Sequence, residues 1–268
     1  MTYKKIKYAL DGNIAVITMN DPATMNAAGT DLIAELRAAF AQAAQEARCA
    51  VLTGEGRGFS SGANLSGRGG EPLTAPAPSA RAALPDAGSA LETIYNPFIL
   101  YLRDLPIPFV TAVNGAAAGV GCSLALMGDL IVAGESGYFL QAFRRIGLVP
   151  DGGSSYLLPR MVGRARAMEM MLLGERIDAK KAEAWGLINR CVPDADLLKE
   201  AMNFAKQLAD GPASIAMIRR LAWDSLDSHF RDQLHIERII QRDASRTADS
   251  REGIMAFAQK RPAKFSGT

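Results

Sequence analysis

Two short apolar runs open the chain, Ile6 to Leu10 and, across Asp11, Gly12 and Asn13, Ile14 to Met19; β-branched residues on either side of turn chemistry predict a β-hairpin. Asn20, Asp21 and Pro22 end it. From Thr30 to Ala47, the residues Leu32, Ile33, Leu36, Ala39, Phe40 and Ala43 recur at three- and four-residue spacing, which gathers them on one face of a helix. Ala50 to Thr53 is apolar and short, as a buried strand is. The order recurs loosely as a strand at Phe109 to Val113, a helix from about Gly119 to Met127 and a strand from Asp129 to Ala133. Further helices are expected at Leu91 to Arg103, Arg164 to Leu173 and Ala179 to Trp185, the last ended by Gly186. Strands alternating with helices give the α/β class. After residue 193 the chain turns helix-forming and highly charged, interrupted at Gly211 and Pro212, so residues 1–193 are expected as the core and 194–268 as a C-terminal helical region suited to packing on another subunit.

Composition narrows the classes. With 49% hydrophobic and 22% charged residues in 268, the chain can build a core, and disorder, collagen and coiled coil are excluded. Thirty Lys and Arg against 28 Asp and Glu leave a net charge of +2, which gives no global reason to expect nucleic acid, although a pI near 8.4 allows basic residues to meet an anionic ligand. Cys49, Cys122 and Cys191 lie far apart with no CxxC or Cys/His spacing, so neither a disulfide framework nor a zinc site is indicated, and no motif for a redox cofactor is present. The basic first residues lead into no apolar run of a signal peptide, and a cytoplasmic location is expected. Residues 105–128 carry no charge, but Pro106, Pro108, Asn114 and four glycines fit a strand, a tight turn and a buried helix better than a membrane span.

Three segments could carry chemistry. Gly58 to Gly62 matches the G-x-S-x-G pattern of serine hydrolases, yet the residues directly after it do not read as a helix, and His229 and His235, the only candidate bases, sit in a charged helical stretch. Asn114 to Ser123 runs a β-branched strand through small residues into a helix, where backbone amides could meet negative charge; tight strand–helix packing would need the same residues. The spacing of a phosphate loop is absent there. Asp151, between Pro150 and Gly152, reads alone as a turn or cap residue or as an acid placed for function.

Together these segments resemble the enoyl-CoA hydratase/isomerase (crotonase) superfamily over nearly the whole chain. Asn20 to Ala27 is similar to that family's N-x-P-x-x-x-N-A, Phe59 to Leu65 to F-S-x-G-A-D-L, and Ala112 to Asp129 to A-V-N-G-x-A-x-G-x-G-x-x-L-A-x-x-x-D. Gly174 to Ala179 and Ala184 to Ile188 resemble later segments of the family. The resemblance implies an α/β spiral of ββα turns with a C-terminal helical region that builds a homotrimer or a dimer of trimers. It implies an acyl-CoA partner, with coenzyme A present as the thioester substrate rather than as a cofactor. Its thioester oxygen would meet the N–H groups of Ala63 and Val120, which would hold an enolate. Met25, Ala27, Ser61, Asn64, Leu65 and Gly119 are the implied contacts of the nucleotide, pantetheine and acyl group.

The chain departs from the hydratases of that family. Where they carry two glutamates that hold and split water, this sequence has Ser123 and Phe143, which leaves these two as substrate contacts and removes the usual acid and base. What remains is Asp151, where isomerases of the family carry an acid. Leu91 to Pro97 and Ile146 to Gly153 resemble the ring-epoxide isomerases of phenylacetyl-CoA breakdown. The expectation is an acyl-CoA isomerase using one carboxylate and an oxyanion hole; a hydratase or thioesterase and a non-catalytic acyl-CoA-binding protein are the alternatives.

Overall fold

A computed structural model describes residues 2–63 and 86–268 of the chain. The predicted hairpin is β1 (Ile6–Asp11) and β2 (Ile14–Met19), paired antiparallel from Ile6 opposite Met19 to Asp11 opposite Ile14. β2 then pairs in parallel with β3 (Cys49–Gly54), a geometry that needs a crossover, and α1 (Thr30–Glu46) supplies it. All six apolar residues expected on one face of α1 are buried, and the Phe40 ring meets Phe109 edge-on at 5.1 Å. β5 (Phe109–Val113), β7 (Leu130–Gly134) and β10 (Arg190–Val192) complete a six-stranded sheet in the order β1-β2-β3-β5-β7-β10, parallel from β2 onward.

A second sheet was not expected. It is built from β4 (Gly58–Ser60), β6 (Ala116–Ala118), β8 (Tyr138–Leu140) and β9 (Arg176–Asp178), three residues each, in the order β4-β6-β8-β9. The chain visits the sheets alternately, from β3 to β4, β5 to β6 and β7 to β8, each pair being followed by helix, which is the ββα spiral. The helices after these pairs are α2 (Ala87–Ala90), continued through a wide turn at Leu91–Tyr95 into α3 (Asn96–Arg103), then α4 (Val120–Leu126), and α5 (Ser154–Leu173) after a tight turn at Ala142–Ile146. α5 begins ten residues before the expected Arg164, because Gly163, at φ 79° and ψ 161°, breaks its path and the spacing shows only its second half. α6 (Ala179–Ala184) leads to β10.

α7 (Leu197–Ala209), α8 (Ser214–Ser225), α9 (Phe230–Ala244) and α10 (Ala248–Ala258) form the C-terminal helical region. α7 packs Leu197, Ala201, Ala205 and Ala209 onto Val51, Val110, Ala112 and Val132, so it closes the outer face of the large sheet. α8 is fixed by Arg219, whose Nε donates to Asp129 Oδ2 at 2.7 Å while Nη1 and Nη2 donate to the carbonyls of Leu102, Arg103 and Leu105 at 2.7 to 2.8 Å. Among the described residues no helix is long and apolar enough to cross a membrane; the uncharged stretch at 105–128 holds β5, β6 and the seven residues of α4.

Candidate active site

The short sheet positions the site. β4 and β6 are parallel neighbours, Gly58 opposite Ala116 and Ser60 opposite Ala117, and both run out into turns at the same end. Ala63 comes three residues after β4 and Val120 two residues after β6, so both residues lie beyond the C-terminal ends of adjacent strands. Val120 is the first residue of α4, with Gly119 as its cap, and a helix provides no acceptor for the N–H of its first turn. A Cβ on Gly62, at φ 98°, would stand 2.8 Å from the carbonyl oxygen of Ala118, so only glycine permits the two turns to approach. Gly62→Ala is therefore expected to push apart the turns of Ala63 and Val120 and, with these as the expected oxyanion donors, to lower turnover about hundredfold. Steady-state kinetics beside a thermal melt would register it, the melt showing that the fold survives.

Next to these turns the segment 25–28 runs against 61–62. The Ser61 N–H donates to the Met25 carbonyl at 2.9 Å and the Ala28 N–H to the Gly62 carbonyl at 2.7 Å, which brings Met25, Ala27 and Ser61 to one rim, where of the three Ser61 alone lines the neighbouring cavity. Met25 and Asn26 both have positive φ, 54° and 56°, an uncommon backbone for side-chain-bearing residues. The buried Asn26 side chain holds it there: Oδ1 accepts from the Asp21 N–H at 2.9 Å, and Nδ2 donates to the carbonyls of Gly58 and Glu55 at 2.8 and 3.1 Å. The remaining expected contacts, Asn64 and Leu65, lie outside the described residues.

A cavity of about 290 Å³ opens between the donors and the helices, lined by Ser61, Gly62, Ala63, Gly119, Val120, Leu91, Tyr95, Ala142, Phe143, Ile146, Leu148, Arg145 and Asp151. Its wall is largely apolar. Tyr95 stands on the wide turn before α3, and its hydroxyl donates to the Ala28 carbonyl at 2.6 Å, tying that wall to the rim. Phe143 is buried at the position where an acid would sit in the hydratases. Among the described residues Arg145 is the other charged group on the wall, and its Nε and Nη2 donate to the Gly174 carbonyl at 3.0 and 2.7 Å.

Asp151 places a carboxyl on the same wall. Its Oδ1 is buried and has no hydrogen-bond partner among the described residues, and burial pushes its carboxyl up from 3.8 to about 6. A carboxylate so placed holds or releases a proton near neutral pH. The turn reading is right about its backbone, whose carbonyl accepts from the Ser154 N–H at 3.1 Å, but Gly153 caps α5 and the Asp151 side chain makes no capping bond. Ser123 is fully buried and absent from the cavity wall; its hydroxyl donates to the Asp151 carbonyl at 2.8 Å. The serine-hydrolase pattern has no such support, because Ser60 is fully buried with its hydroxyl donating to the Asn26 carbonyl at 2.8 Å, while His229 and His235 are exposed on α9 and its cap. Sequence reasoning did not name Ala90, Leu91, Ala142, Arg145, Ile146 and Leu148 as wall residues; Leu91, Ile146 and Leu148 lie in the two segments that resemble the ring-epoxide isomerases, but a turn as short as 142–146 has no periodicity to show which side chains face inward.

Known proteins are similar to this chain in sequence and in fold. The profile described as enoyl-CoA hydratase/isomerase matches residues 10–268. The 1,2-epoxyphenylacetyl-CoA isomerase of Escherichia coli K12 is 40% identical over 261 residues, covering 96% of this chain and 97% of that protein. The probable enoyl-CoA hydratase of Rhodobacter capsulatus is 41% identical over 268 residues, the full length of both. The crystal structure of an enoyl-CoA hydratase from Polaromonas sp. JS666 superposes with a TM-score of 0.86 at 32% identity, covering 97% of this chain and 99% of that one. Likeness of this extent, end to end in both sequence and spiral, makes the chain a member of the enoyl-CoA hydratase/isomerase family.

Proposed function

We propose that the protein is an acyl-CoA isomerase in which Asp151 is the acid–base residue and the N–H groups of Ala63 and Val120 hold the thioester oxygen. The observation that carries this reading is the lone carboxylate on the cavity wall, half-buried and with its buried Oδ1 without a hydrogen-bond partner among the described residues, with Phe143 rather than a second acid on the same wall. The ionised Asp151 takes a proton from the α carbon of a 3-enoyl thioester, and the electron pair moves into the thioester carbonyl to give a dienolate. Its negative oxygen is the charge that two preorganised N–H donors stabilise. The same carboxyl then returns the proton to the γ carbon, leaving the 2-enoyl isomer. Isomerisation of a ring epoxide, the activity in the name of the Escherichia coli relative, is the second isomerase reaction we assign to this site.

The apolar wall of Tyr95, Leu91, Phe143, Ile146 and Leu148 supports a fatty or aryl acyl group. Exposed Phe230, Leu234, Ile254 and Phe257 on α9 and α10 support packing on further copies of the chain, as in a homotrimer or dimer of trimers. The deciding experiment incubates the protein with 2-enoyl-, 3-enoyl- and aryl-acetyl-CoA thioesters and tracks product mass, retention and free thiol. A new species of unchanged mass is expected. A gain of water would make the protein a hydratase, released thiol a thioesterase, and tight binding without turnover an acyl-CoA-binding protein.

A further inference from the structure

The turn that carries Asp151 is held from beneath by α4, the helix that presents the Val120 N–H. Three donors converge on the Asp151 carbonyl oxygen: the Ser123 hydroxyl at 2.8 Å, the Ser154 hydroxyl at 2.8 Å and the Ser154 N–H at 3.1 Å. A hydroxyl has one proton. The Ser123 oxygen also lies 3.5 Å from the Gly119 carbonyl, and the Ser154 oxygen 3.3 Å from Gln141 Oε1, so both protons belong to the shorter contacts on Asp151. Gly152, at φ 59°, lies so close to α4 that a Cβ there would be 2.7 Å from Ser123 Cβ. The turn 151–153 therefore rests on Ser123, and Ser123 stands one helical turn after Gly119, the cap of the donor helix.

We infer that Ser123 is a positioning residue, a strut that holds the Asp151 carboxylate and the Val120 donor in one rigid frame. The inference rests on the acid–base role proposed for Asp151. It gives a physical reason for a serine at this place. A carboxylate at 123 would set negative oxygen against the Asp151 carbonyl and add a second charge beneath the first, whereas a hydroxyl donates and stays neutral. Proton return demands that the carboxyl keep its distance from both carbons while the enolate oxygen stays on its donors, and a loosened turn loses that geometry without losing the ligand.

Ser123→Ala tests the strut. The carbonyl keeps both Ser154 donors and alanine is a good helix former, so the variant folds, as a thermal midpoint checks. With a 3-enoyl-CoA substrate, kcat is expected to fall about tenfold while KM stays within about twofold. The rising acidic limb of kcat, set by the carboxyl near 6 in the parent, is expected to move to lower pH, since a freer turn admits water to Asp151. A kcat within about twofold of the parent, or an acidic limb that stays in place, overturns the inference. Asp151→Asn run in parallel separates the two layers: retained turnover there removes the acid–base reading itself, whereas an inactive Asp151→Asn beside an unaltered Ser123→Ala removes only the strut.

Discussion

Asp151→Asn is expected to reduce turnover of a 3-enoyl-CoA by about a thousandfold or more while leaving acyl-CoA affinity nearly unchanged. The amide has the size and shape of the carboxylate but can neither take nor return a proton, and positioned acid–base groups contribute about 10²- to 10⁴-fold. Affinity survives because the apolar wall and the two N–H donors are built by other segments. In the parent, the ionised form is the base, so kcat is expected to rise with pH through about 6 and to level above it. The sign of the stability effect is opposite. A carboxyl whose folded value lies above its unfolded one favours folding relative to neutral pH below about 4, and that advantage is lost as pH rises through 6 and the buried group must ionise. Asp151→Asn should therefore melt at a higher temperature than the parent at pH 8 and show no such advantage at pH 4. Kinetics and melting curves at the two pH values check both halves; a variant that keeps its turnover, or that is destabilised at pH 8, contradicts the assignment.

Much of this site is legible in the sequence, and the limits of that legibility have physical causes. α1 announces itself because its apolar residues repeat with the helical period, and β1, β2, β3, β5 and β7 because they are short apolar runs, the inner ones covered by the main core on one face and by α7 on the other; β10, only three residues long, was not expected. β4 and β6, which lead into the proposed donors Ala63 and Val120, do not announce themselves, since Gly-Phe-Ser and Ala-Ala-Ala have neither length nor β-branched residues; their strand geometry comes from tertiary pairing. The small residues that hide the strands are the ones that reveal the site, because Gly62 and its neighbours must let two turns approach closely. The resemblance pointed to Ala63, Val120 and Asp151, and all three line one cavity, but a motif gives a place in the chain and not the direction of a side chain. Ser123 shows the difference: expected as a substrate contact, it points down into the turn of Asp151 instead.

No local pattern exposes the other determinant of this fold, and its removal carries the largest expected cost in stability. Arg219→Ala should lower the unfolding free energy by about 3–5 kcal/mol, the usual result of breaking a buried pair from one side. Arg219 is 6% exposed and joins α8 to segments about 90 to 117 residues earlier in the chain. Its guanidinium closes the C-terminal carbonyls of α3 and meets Asp129, which also accepts from the Phe109 N–H at 2.9 Å and Trp223 Nε1 at 3.3 Å. Burial pushes the Asp129 carboxyl up, and the guanidinium beside it opposes the rise. Truncation would leave that carboxylate and three carbonyls without their shared partner, at the junction of β5, β7, α3 and α8. Asp129→Leu combined with Arg219→Met should cost less than the sum of the two single changes, because the double variant removes both charges instead of stranding one. Denaturant midpoints of the four proteins measure the coupling, and kcat of the folded fraction should stay at the parent value, since neither residue lines the acyl cavity. Additive costs, or an Arg219→Ala loss below about 1 kcal/mol, would mean that apolar packing of α8, rather than this ion pair, holds the helical region to the spiral.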